Sequence, residues 1–124
     1  MDAEHLQIHR AVADLQAALA AGAESGELES SLRRLAQEVA GHFRHEERLM
    51  RLAQYPAYEW HKRQHATARR KLQELAAELF AGGPASTSRA LDSLGGWFRD
   101  HIGVTDSMAS SYLRNHERQR GKSR

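Results

Sequence analysis

Leu28, Leu32, Leu35, Val39, His42, Glu46 and Leu49 recur at alternating steps of three and four, and so do Tyr58, His61, His65, Ala68, Leu72, Leu75 and Leu79. That spacing returns to one side of an α-helix and does not fit a strand, so each run predicts an amphipathic helix. The two are separated by Tyr55-Pro56, with Pro56 expected in the first turn of the second helix, where a missing N–H costs nothing. A shorter seam runs through His9, Val12, Leu15 or Gln16, and Leu19, and stops at Gly22-Ala23-Glu24-Ser25-Gly26. A fourth begins after Gly82-Gly83-Pro84 and passes through Leu91, Leu94, Phe98 and His101. No internal repeat and no strand-like alternation is present. Four such stripes on short connections predict an all-α fold, an antiparallel up-down-up-down four-helix bundle with a short C-terminal helical extension.

At 124 residues the chain has room for one hydrophobic core. The bundle is expected over residues 1–113 and a basic, flexible tail over 114–124. The tail holds Arg114, Arg118, Arg120, Lys122 and Arg124 against Glu117 alone; without it, 13 basic residues face 15 acidic ones. The overall charge of +2 therefore misleads as a sign of nucleic-acid affinity; the tail reads as a solvated end or a linker stub, with a docking or nucleic-acid segment as the alternative. With no cysteine there are no disulfides, thiolate metal sites or iron–sulfur clusters. No apolar run reaches the roughly 20 residues of a membrane span, and no signal-peptide pattern opens the chain, so a cytoplasmic protein is expected.

The chemistry lies on the stripes. His9, His42, Glu46, His61, His65 and His101 occupy positions where a bundle normally carries leucine. An unpartnered buried polar group costs roughly 1–3 kcal/mol, and a domain is stable by only about 5–15 kcal/mol. Six such groups in one small core need a common partner, and a metal cluster supplies it. His42/Glu46 and His61/His65 are i, i+4 pairs, which stack on one helix face. Asp106 is harder to place. It follows His101 by five, about 140° round a straight helix, so it joins that face only if the helix bends or restarts near Gly103.

Five imidazoles and two carboxylates (His9, His42, His61, His65, His101, Glu46 and Asp106) are too many for one ion and imply a dinuclear site. A closed zinc site would use four ligands, and calcium or magnesium would take oxygen donors. Mixed nitrogen and carboxylate donors suit iron, with manganese, copper or zinc as substitutes. Oxygen-splitting bundles use glutamates with Glu-x-x-His pairs. The His-x-x-x-Glu and His-x-x-x-His pairs here carry fewer anions, which favours reversible electron exchange with oxygen.

The segments HFRHEERLM, YPAYEWHKRQH and WFRDHIGVTD, with His9, resemble bacterial hemerythrin. The resemblance implies two iron ions, cycling between Fe2+ and Fe3+, with a bridging oxo or hydroxo group. By it, His61, His65 and His101 saturate one iron, His9 and His42 hold the other with a position left open, and Glu46 and Asp106 bridge. It further implies reversible dioxygen binding at the open iron, for carriage, storage or delivery, with no substrate turned over and thus no enzyme. Nitric oxide and small anions such as azide are further expected ligands. A sensory domain using the same site, and a di-iron oxidase or iron-donating repair protein, are the competing functions.

His5, His45 and His116 match no family role. His5 is expected to face solvent, although four residues before His9 it could substitute as a ligand. His45 flanks the row of Glu46, and Trp97 either walls the pocket or packs in the core. Two departures from the family stand out. Leu6 occupies the place, three before His9, where hemerythrins carry an acidic residue after a longer N-terminal arm, and Phe98 replaces a frequent leucine. The short arm leads to an expectation of rapid autoxidation.

Overall fold

The computed structural model describes residues 2–122, with side chains from 5 to 101 and from 104 to 119. Among them are helices α1 (Asp2–Ala20), α2 (Ser25–Leu52), α3 (Tyr58–Ala81) and α4 (Pro84–Asp100). A π-helical segment follows (His101–Asp106) and leads into α5 (Ser107–Lys122). The described residues contain no strand. Helix α1 packs on α2, α2 on α3, α3 on α4, and α4 back on α1, so the four helices close a ring around one core. Ile8, Leu15, Leu35, Val39, Leu75, Leu91 and Leu94 fill it.

Two of the turns have the same construction. After α1, Ala23 N–H donates to Ala18 O at 3.0 Å and Gly22 N–H to Leu19 O at 3.2 Å, with Gly22 at φ 69°. This pair of bonds is a Schellman cap, which absorbs carbonyls that a helix end leaves unpaired. After α2, Tyr55 N–H donates to Met50 O at 2.9 Å and Gln54 N–H to Arg51 O at 3.1 Å. Here the left-handed residue is Gln54, at φ 54°. Tyr55 and Met50 meet in a second small core with Ala109, the apolar contact that usually accompanies such a cap. Pro56 therefore lies in the turn before α3 and not in its first helical turn, because the cap carries the chain past it. Pro84, at the start of α4 behind Gly83 at φ 84°, stands where the sequence places it.

The expected C-terminal helical extension is α5, which carries the basic segment through Lys122. The side chains of Arg120, Lys122 and Arg124 lie outside the described residues. Helix α5 is anchored to the end of α2 by Ala109 against Met50 and Tyr55, and by the Tyr112 hydroxyl donating to Ala53 O at 3.1 Å. Among the described residues no helix is long and apolar enough to cross a membrane.

Candidate metal centre

Helix α2 sends His42 and Glu46 inward, α3 sends His61 and His65, and the π-helical segment supplies His101 and Asp106. All six are buried. Helix α1 adds His5, whose side chain is 13% exposed. Together these residues form two four-membered clusters that share Glu46: Glu46, His61, His65 and His101, and His5, His42, Glu46 and Asp106. Within each, one donor atom per residue lies within 4.8 Å of every other.

Each carboxylate faces both histidine sets, one oxygen to each. Asp106 Oδ1 lies 3.0 Å from His61 Nε2 and 2.8 Å from His101 Nε2, while its Oδ2 lies 2.8 Å from His5 Nε2 and 3.1 Å from His42 Nε2. Glu46 Oε1 meets His61 Nε2 and lies 2.8 Å from His65 Nε2 and 3.9 Å from His101 Nε2. Its Oε2 is 3.5 Å from His42 Nε2. The arrangement is a set of three imidazoles and a set of two, joined by two carboxylates.

How Asp106 reaches this position is a matter of helix type. Hydrogen bonds in a π-helix run from i to i+5, so the turn is wider and the fifth residue stacks over the first. His101 and Asp106 are five apart and span that segment. The helix widens where a bend or restart was expected. Thr105 stabilises the widened turn and orients a ligand at once. Its hydroxyl lies 2.6 Å from His101 O and 2.7 Å from His101 Nδ1. A hydroxyl has one proton. Donated to the carbonyl, it leaves the oxygen to accept from Nδ1–H, so Nε2, on the side of the carboxylates, is the nitrogen left to bind a metal.

The aromatic rings lie against the imidazoles. Phe43 stacks on His65 with centroids 3.9 Å apart and planes 7° from parallel, and Trp97 stacks on His101 at 4.5 Å and 15°. Trp97 thus walls the site. Phe98 is buried 6.2 Å from Phe43 and stands behind these rings.

Electrostatics within the cluster favour positive charge. Burial pushes the His61 ring toward neutrality, but the hydrogen bonds and charges of Asp106 and Glu46 outweigh it and raise its pKa from 6.5 to about 9. His101 is raised for the same reasons, against the same burial. Burial pushes the Glu46 carboxyl up, yet His101, His61 and His65 hold it well below the usual carboxylate range. Asp106 is depressed likewise, against its own burial, by His101, His42, His5 and His61. Four of these donor atoms (Glu46 Oε2, His61 Nε2, His101 Nε2 and Asp106 Oδ1) are buried and, though close to opposite charge, make no hydrogen bond of good geometry. Buried polar atoms are seldom left so. A metal cation would satisfy them, and each of the two clusters offers donors for one.

One sequence expectation is corrected. His9 is exposed, belongs to neither cluster, and lines a surface cleft with Gln16, Asp92 and Arg99. Ile8 is fully buried at the centre of the inward stripe, and the next residue points about 100° away from it. Val12 lies seven residues after His5 and three after His9, so it fits either choice of first histidine. His5, expected in solvent, takes the place instead. A usable signal was present: Asp2 stands three residues ahead of His5, the acidic spacing that His9 lacks. His45 is exposed, and His116 stacks on Tyr112 away from the cluster, with centroids 6.3 Å apart.

No curated protein and no solved structure matches the chain. A family model described as the hemerythrin HHE cation binding domain matches residues 1–113, which include all seven clustered residues. The chain belongs to the hemerythrin HHE cation-binding family.

Proposed function

We propose that this protein binds dioxygen reversibly at a dinuclear non-haem iron centre with a bridging oxo or hydroxo group. The observation that carries the reading is the unequal donor set. His61, His65 and His101 would hold one metal, His5 and His42 the other, and Glu46 and Asp106 would bridge. An iron pair held there would supply the two electrons that reversible oxygen binding needs, with fewer protein imidazoles, His5 and His42, on one side than on the other. Mixed nitrogen and oxygen donors support iron over the oxygen-preferring cations.

The chain's own part is to orient and to exclude. Thr105 fixes the ring of His101, and Phe43 and Trp97 keep water from the imidazole faces. His5 lies at the one edge of the cluster that solvent touches, which gives a small ligand a short way in. The reading includes an up-down-up-down course for the four helices, supported by their short connections and closed ring of contacts.

A sensory use of the same site is a second reading. Asp106 is the last residue of the π-helical segment and α5 begins at the next residue, so a shift of that carboxylate is passed directly to a helix.

The test is metal content with visible spectra of the reduced protein before air, in air, and after oxygen is withdrawn. About two irons per chain, a spectrum that appears in air and fades on withdrawal, and azide binding to the oxidised form support the proposal. Oxidation that withdrawal does not reverse supports sensing. Steady oxygen consumption with a reductant supports an oxidase.

A further inference from the structure

Glu47, one residue after Glu46, turns the other way along α2, and its side chain is 14% exposed. Its Oε2 lies 2.9 Å from His65 Nδ1. An ionised carboxylate can only accept, so His65 donates its Nδ1 proton to Glu47. With Nδ1–H engaged by Glu47, Nε2 is the nitrogen left to bind a metal, and it lies 2.8 Å from Glu46 Oε1. The same Oε2 accepts from an Arg69 guanidinium nitrogen at 3.4 Å. Arg69 also lies over the Phe43 ring at 5.5 Å, and Phe43 stacks on His65. Glu47, Arg69 and Phe43 thus enclose one imidazole from its outer edge and one face.

The other two imidazoles of that set are held differently. His101 Nδ1 meets the neutral hydroxyl of Thr105, and His61 Nδ1 is buried without a hydrogen-bond partner. Of the three, His65 alone is joined to a formal negative charge at Nδ1. A carboxylate behind an imidazole makes the ring a stronger electron donor at its far nitrogen. The higher charge state of whatever Nε2 binds is therefore favoured. Arg69, half-exposed on the other side of Glu47, partly offsets that charge.

We infer that Glu47 is a positioning residue that fixes the tautomer of His65 and lowers the reduction potential of the three-histidine side of the centre, with Arg69 setting how far. This rests on the reading of the cluster as a redox-active metal centre.

The experiment compares wild-type, Glu47→Gln, Glu47→Ala and Arg69→Ala proteins. Each is loaded with iron, assayed for metal content and titrated spectroelectrochemically, and zinc affinity is measured in parallel. Glu47→Gln keeps an acceptor but loses the charge, so its midpoint moves positive while zinc affinity changes little. Glu47→Ala loses both, so its midpoint moves positive and zinc binds roughly 10-fold or more weakly. Arg69→Ala, a change at a half-exposed side chain, moves the midpoint negative. A merely structural role would not give opposite signs for the two charge removals. Full iron loading with midpoints that are unmoved, or that move the same way in Glu47→Gln and Arg69→Ala, overturns this inference and leaves the metal-centre reading standing. A wild-type chain that takes up no redox-active metal overturns both.

Discussion

His5 and His9 lie one helical turn apart, and only the first meets the cluster, with Nε2 2.8 Å from Asp106 Oδ2. The consequence is a sharp difference between two similar substitutions. His5→Ala removes one of the two imidazoles on its side and should lower metal content from about two per chain toward one, with the remaining metal held by the three-histidine set. His9→Ala changes an exposed side chain and should leave metal content and the azide-bound spectrum as they are. Metal analysis of the two purified variants decides the matter, and loss of metal from His9→Ala alone would reverse the assignment.

At the scale of an element, the π-helical segment connects sequence to site. It widens one turn so that residues five apart converge, at the junction of α4 and α5 where a plain α-helix would turn Asp106 away. Thr105 is the residue that ties this turn to the ligand, through His101 O at 2.6 Å and His101 Nδ1 at 2.7 Å. Thr105→Val keeps the shape and removes both bonds. Metal affinity should fall by about 10–100-fold, the usual cost of losing a partner behind a ligating histidine, while helix content by circular dichroism stays unchanged. Thr105→Ser retains the hydroxyl and should restore most of the affinity. Equal losses in both variants would mean that the threonine acts by packing its methyl group.

Across the whole molecule, the four-helix ring holds two depressed carboxyls and two raised imidazoles in one core, so stability is linked to pH and to metal. In metal-free protein, the folded pKa of His61 lies above its ordinary value, raised from 6.5 to about 9. Its contribution is therefore fully present below about 6.5 and is lost as pH rises through 9. The depressed carboxyls contribute above their ordinary range and are lost only in strong acid. Metal binding has the opposite dependence on the imidazoles, because ligating rings must shed their protons. The melting temperature of chelator-stripped protein should fall between pH 6.5 and 9, and the gap to the iron-loaded form should widen over the same interval. Parallel thermal denaturation of the two forms checks this, and a constant gap would mean that the imidazoles carry no protons in the stripped protein.

The helices, the core stripes and most of the donors are legible in the residue pattern alone. Leu35, Val39, His42 and Glu46 follow a period that backbone hydrogen bonding imposes locally, and His61 and His65 do so on the next helix. A periodic pattern over many residues therefore reads through to burial. Alternation weakens at the ends, where few residues remain to fix the phase. On α1 the choice between His5 and His9 depended on Ile8, whose burial depends on how α1 packs against α2 and α4. Two more features came only from the tertiary structure. Residues 101–106 adopt a π-turn because Asp106 is drawn to imidazoles from three other elements, and local propensity does not record those partners. Glu47 looks like an ordinary polar neighbour of a ligand until α3 brings His65 and Arg69 against it. Period is a property of one chain segment, whereas a hydrogen bond between segments exists only once they are packed.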